Sequence, residues 1–158
     1  MTSPAKNADV RTIAAGILVT RTGKTLPQTT AANIFTITGG RIMVVSLTGL
    51  VTVATGATAT TLSIGLTPAS GTSSAVSLAS ATAITSKEVG TQFSIGSTPG
   101  SALVVGTNAS TPLQCTGHAA WSIQTGAITV TTSASDTGQV QYDLIYIPLD
   151  VGAQVVAA

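Results

Sequence analysis

Apolar and polar residues alternate along much of this chain with a period of two, the repeat of a strand whose side chains point to opposite faces of a sheet. The clearest run is Arg41 to Ala54. Met43, Val45, Leu47, Val51 and Val53 fall on one face, with Gly49 interrupting the row as a bulge does. Ile42, Val44, Ser46, Thr48, Leu50 and Thr52 share the other face. Arg11 to Arg21, Asn33 to Thr38 and Thr60 to Leu66 read as further strands, and Gly39-Gly40 supplies turn chemistry for a tight reversal. Shorter runs follow at Gln92–Ile95, Ala102–Val105, Ala119–Gln124 and Ala127–Thr132. In the last run, Gln139–Ile147, Val140, Tyr142, Leu144 and Tyr146 face one way before Pro148 stops it. Ala75 to Ser86 is rich in Ala, Ser and Thr and fits a loop, a weak strand or a helical turn alike.

About 8–10 short strands separated by turn signals predict an all-β domain, an antiparallel sandwich or barrel of jelly-roll-like character. Residues 1–10 are polar, carry Pro4 and read as a mobile N-terminal arm. Residues 11–158 then form a single β domain, with 67–112 as a loop-rich excursion from the sheets.

Composition sharpens this picture. Of 158 residues only 7% are charged, against roughly 25% in ordinary soluble domains. Ser and Thr total 45, Ala 23 and Gly 16, so the chain is written in small side chains. A net charge of +1 without basic clusters or stacking aromatics argues against nucleic-acid binding. Cys115 alone builds no disulfide within the chain. The apolar run Ile13–Val19 between Arg11 and Arg21 is far shorter than the roughly 20 residues of a membrane span, and Asp9 argues against a signal peptide. The expectation is folding in a reducing cytoplasm, unless a dedicated export system moves the chain.

Catalytic chemistry is sparse. His118 is the only histidine, and no Gly-x-Ser-x-Gly elbow surrounds any serine. Cys115 and His118 give a Cys-x-x-His spacing, short of the four ligands of a structural zinc site. The acids Asp9, Glu88, Asp136, Asp143 and Asp150 suggest no carboxylate pair, and Asp136 sits in a turn, where Asp bonds the local backbone. No catalytic, cofactor or metal site is expected. Trp121, with Ile123 two residues on, reads as a core side chain, and otherwise as a sugar-stacking platform.

A neutral surface favours association, and few charges guard the strand edges, so much of this exterior is expected to be covered by partners. The charges are also polarised. Lys6, Arg11, Arg21, Lys24 and Arg41 lie in the first 41 residues against Asp9 alone, whereas Asp136, Asp143 and Asp150 lie in the last quarter with no base. Arg11, Arg21, Lys24 and Arg41 are therefore candidate contacts to a neighbour or host lattice. The other reading is that the two ends of the chain pair within one fold.

Asn33-Ile-Phe-Thr-Ile-Thr-Gly-Gly40 with the long strand after it, and Gly138-Gln-Val-Gln-Tyr-Asp-Leu-Ile-Tyr-Ile-Pro-Leu-Asp150 with Val155-Val-Ala-Ala158, resemble small Thr/Ala/Gly-rich β virion proteins of tailed bacteriophages. The likeness is greatest to capsid decoration, or cement, proteins. It implies a non-enzymatic homotrimer on the outer head surface, bound to the major capsid protein and stabilising its lattice. Residues 1–24 would then include a lattice-engaging arm. A tail or head-fibre component with a receptor-binding role, and a carbohydrate-binding surface module, are the alternatives.

Overall fold

The structure is a computed structural model that describes residues 10, 14–71, 75–113 and 120–158. Its strands are β1 (Ile17–Thr25), β2 (Ala31–Thr38), β3 (Ile42–Val53), β4 (Thr61–Pro68), β5 (Val76–Ala83), β6 (Gln92–Ser94), β7 (Val104–Val105), β8 (Trp121–Ile123), β9 (Gly126–Thr132), β10 (Gln139–Pro148) and β11 (Gln154–Ala157).

Among the described residues these strands form two antiparallel sheets. One runs β1-β10-β3-β6-β7, with β8 also paired to β3, and the other runs β11-β2-β9-β4-β5. β6 and β8 share one margin of β3, at Thr48–Leu50 and Ile42–Val44. Without β7, β8 and β11, the pairings nest: β1 with β10, β2 with β9, β3 with β6, and β4 with β5 at the centre. This is one long hairpin rolled into two layers, the strand order of a jelly roll. It is a sandwich and not a closed barrel.

The core lies between the layers. Ile34, Phe35, Ile37, Ile64, Ile128 and Val130 come from one sheet, and Ile42, Leu47, Phe93, Tyr142 and Leu144 from the other, all essentially without solvent contact. β10 obeys the expected alternation: Val140, Tyr142, Leu144 and Tyr146 are buried. Ala75 to Ser86 resolves as a strand over Val76–Ala83, because pairing with β4 buries Leu78 and Ala79. The stretch 67–112 contributes β5 to one sheet and β6 and β7 to the other.

Two expectations about β3 are corrected. Ile145 pairs with Ser46 but Tyr146 with Val44, and Gln139 pairs with Val53 but Val140 with Val51, so bulges sit at Val45 and, near the strand's end, at Thr52, and not at Gly49; the one at Val45 governs the facing of the row. The bulge reverses the phase. Ile42 and Val44 point inward before it, and Leu47, Gly49 and Val51 after it, so neither predicted face stays on one side. Gly49 keeps its place in the ladder opposite Tyr142 and Phe93. Its missing side chain makes room for the Phe93 ring, which an added Cβ would penetrate.

The first strand begins later than expected. Ala14 and Ala15 are helical, and Gly16, with φ +87, turns the chain into Ile17, which pairs with Tyr146 near the end of β10. The strand runs on past Arg21, where it was expected to end, through Lys24-Thr25 by absorbing a register shift between Arg21 and Lys24. At the opposite margin, segment 98–103 covers β5: Gly100 and Ser80 donate backbone N–H bonds to Leu78 and Ser101, and Leu103 donates to the Thr82 hydroxyl.

Candidate functional site

The two ends of the sandwich differ in chemistry. At the end where Thr25, Gln139 and Val53 meet in register, polar side chains tie the loops together. The buried Asp136 carboxylate accepts the Gly138 N–H at 2.7 Å and the Gly56 N–H at 3.1 Å, and the Gln28 side-chain amide donates to the Asp136 carbonyl at 2.8 Å. The Thr55 hydroxyl donates to the Ile84 carbonyl at 2.6 Å and accepts the Lys87 N–H at 2.7 Å. Thr132 bonds the Pro27 carbonyl. The turn role expected for Asp136 is thus a link among the β1–β2, β3–β4 and β9–β10 loops. Val53 and Val89 are the large aliphatic side chains exposed here.

At the opposite end, Pro148 pairs with Ile42, Gln154 with Thr38, and Pro68 with Gly126. The turn Gly39–Arg41 and the loop Leu149–Ala153 lie back to back. The Leu149 N–H bonds the Arg41 carbonyl at 3.0 Å. Arg41 holds Asp150 with its backbone N–H at 2.7 Å, Nε at 3.0 Å and Nη2 at 2.8 Å. Gly39, at φ +75, is required by this contact, since a Cβ there would strike the Gly152 carbonyl. Pinned by that clamp, the loop presents Leu149 at 44% exposure and Val151 fully open to solvent. Leu18 and Val76, at 60% and 51% exposure, belong to the same end. Leu18 faces Ile145 across β1–β10, and Ile147 faces Met43 across β10–β3, so half-buried aliphatic side chains neighbour Leu18 on the outer face of that sheet.

The clamp carries a pH signature. Arg41, first through its side-chain hydrogen bond, lowers the Asp150 carboxyl from 3.8 to about 2. A depressed carboxyl contributes stability above its ordinary value and loses it as pH falls through the depressed one. The Asp150 side-chain NMR signal is therefore expected to titrate near pH 2, with the clamp intact from neutrality to about pH 4. Arg41→Ala should return the midpoint towards 3.8. An ordinary Asp150 titration in the unaltered chain would show that the clamp does not form.

The charged residues singled out in the sequence fall as follows. Arg11 lies outside the described residues. Arg21 is no surface contact: at 7% exposure it points in from β1, its guanidinium 5.8 Å from the Tyr142 ring centroid and its Nε bonded to the Ala158 oxygen at 3.0 Å. Burial lowers its pKa and also raises that of Tyr142, whose hydroxyl has no partner among the described residues. Lys24 is exposed, with Nζ on the same Ala158 oxygen at 3.0 Å, and Arg41 is exposed and held by Asp150. Lys87 bonds the Gly106 carbonyl, Glu88 accepts the Ala109 N–H, and Asp143 accepts from Thr20 and Gln141. Every described charged side chain thus has a partner within the chain. Where basic and acidic ends of the sequence meet, at Arg41 and Asp150, they meet inside one fold.

Cys115 and His118 lie outside the described residues, and no cluster of three His, Cys, Asp or Glu side chains occurs among those described. Trp121 is half-buried on the margin of the core, its indole N–H bonded to the Ser97 carbonyl at 3.2 Å. Leu149 and Val151 were missed in the sequence. Their signal was an aliphatic residue on each side of Asp150, beyond the proline that ends β10, where turn chemistry favours polar residues.

No family model matches the chain, and no curated protein matches it. Among solved structures, the chain is similar to one from the structure of infectious bursal disease virus Gx strain, at 15% identity and a TM-score of 0.25, over 90% of this chain and 34% of that one. The chain thus spans about a third of the length of that viral chain. A likeness of this size says nothing about function.

Proposed function

We propose that this chain is a non-enzymatic virion structural protein: a decoration protein that sits as a trimer on the outer head surface of a tailed bacteriophage and reinforces the major capsid lattice. The observation that carries this reading is the two-ended character of the jelly roll, polar and cross-tied at one end, open and aliphatic at the other. Leu149 and Val151 stand exposed together on one short loop, and exposed aliphatic side chains grouped on a surface mark a place where another surface belongs. The low charge agrees with a permanent assembly, since a small neutral surface left bare tends to associate without control. The location rests on the resemblance of residues 33–40 and 138–150 to phage virion proteins.

The mechanism is additive. Each copy buries modest area on more than one shell subunit, and many such links resist the pressure of packaged DNA. The test is mass in solution, by light scattering, for the chain alone and with emptied heads of the phage that encodes it. A stable oligomer that saturates heads at a fixed copy ratio is the expected result. A chain that stays monomeric and never co-sediments with heads would overturn the reading.

A further inference from the structure

We infer that Arg21 and Lys24 form a carboxylate-binding site at the seam where the margins of the two sheets meet, an inference independent of the decoration role. β1 is the outermost strand of one sheet and β11 of the other, and Arg21 and Lys24 reach from the first to the end of the second. Arg21 Nε and Lys24 Nζ each donate to the Ala158 oxygen, both at 3.0 Å. Ala158 is itself held in place, its N–H bonded to the Ile34 carbonyl at 3.1 Å. Two cations thus converge on one main-chain oxygen. Neither is paired with a carboxylate side chain among the described residues, where the ion pair is that of Arg41 with Asp150. Asp143, one register step from Arg21, is on the opposite face of β10 from Tyr142 and is bonded there by Thr20 and Gln141.

The chemistry of the seam calls for a negative charge. Arg21 is buried, and a guanidinium taken out of water needs an anion to balance the hydration it loses. Nε is its bonded donor among the described residues, which leaves the Nη groups of the fork for a ligand. The Tyr142 hydroxyl is a second observation at the same place. It is buried without a partner among the described residues, and the Arg21 guanidinium stands 5.8 Å from the centroid of its ring. Lys24 is exposed and adds a second positive charge at the mouth of the seam. A carboxylate suits these donors. Its planar pair of oxygens matches a guanidinium fork, and the Ala158 oxygen already marks where one acceptor atom sits. Two sources carry that chemistry: the α-carboxylate of Ala158 in a chain that ends there, and a free carboxylate from outside. Either one ties the last strand of one sheet to the first strand of the other.

The experiment is an NMR titration of the 158-residue chain. The Ala158 carboxyl carbon is followed against pH, and the Arg21 Nε–H signal against acetate at constant ionic strength. Arg21→Met, Lys24→Met and, away from the seam, Lys87→Met are compared, each checked for folding by circular dichroism. If the chain's own carboxylate fills the site, the Ala158 carboxyl loses its proton about one pH unit or more below its ordinary range of about 3.3–3.7, since neighbouring cations favour the charged form. Lys24→Met, which removes an exposed side chain, then raises that midpoint even if Arg21→Met fails to fold, and Lys87→Met leaves it unchanged. If the carboxylate comes from outside, the carboxyl titrates normally, and acetate shifts the Arg21 signal to saturation in the unaltered chain but not in Lys24→Met. An ordinary midpoint together with no saturable acetate shift overturns the inference. So does a low midpoint, or a saturable acetate shift, that Lys24→Met leaves in place. Binding to heads is measured separately, so the decoration role stands or falls on its own test.

Discussion

Replacing Gly49 by valine is expected to destabilise the fold by about 3 kcal/mol, at the upper end of what overpacking a core costs. Gly49 faces inward from β3, and the edge of the buried Phe93 ring fills the space a side chain would occupy. Phe93 has little room to retreat, because its ring also meets Tyr142 edge-on, with centroids 6.0 Å apart. Chemical denaturation should show the loss as a lower midpoint with an unchanged slope. A second change, Phe93→Ala in the Gly49→Val background, should recover part of the loss relative to the sum of the single changes, since the two residues compete for one volume. An unaltered midpoint for Gly49→Val would mean that Phe93 does not pack there.

Asp136→Ala is expected to cost about 3 kcal/mol, for a different reason. The carboxylate is buried, and its removal leaves the Gly56 and Gly138 N–H groups without their acceptor. Hydrogen exchange at those amides should accelerate together. Unchanged exchange at either amide would mean that the carboxylate does not hold that loop.

The layers were legible in the sequence wherever burial is one-sided. β10 alternates without interruption, and Val140, Tyr142, Leu144 and Tyr146 are the residues it buries. β3 looked just as regular and misled, because aliphatic residues occur in both of its rows and a one-residue bulge exchanges which row faces the core. β5 was ambiguous for another reason: Ala favours helix while Thr favours strand, so the mixture has no net preference and pairing with β4 decides its state.

The candidate site was less legible than the fold. Charge polarity along the chain drew attention to Arg21, Lys24 and Arg41, but a linear count of charges does not show that β1 lies beside β10, or that the turn before β3 meets the loop after β10. Those contacts join residues more than a hundred positions apart and engage the charges internally. Leu149 and Val151 became notable only once the clamp showed that the loop holding them is fixed.

The margins of the two sheets also set how far these molecules can accumulate. Segment 98–103 closes one side of β5, and on the other side β1 swerves at Arg21 and aims a cation inward. The other two edge strands, β7 and β11, span only 2 and 4 residues, so no described edge offers a long, straight row of free amides, the template on which copies zip into ribbons. A chain of low charge with exposed aliphatic side chains is thereby steered away from endless filaments.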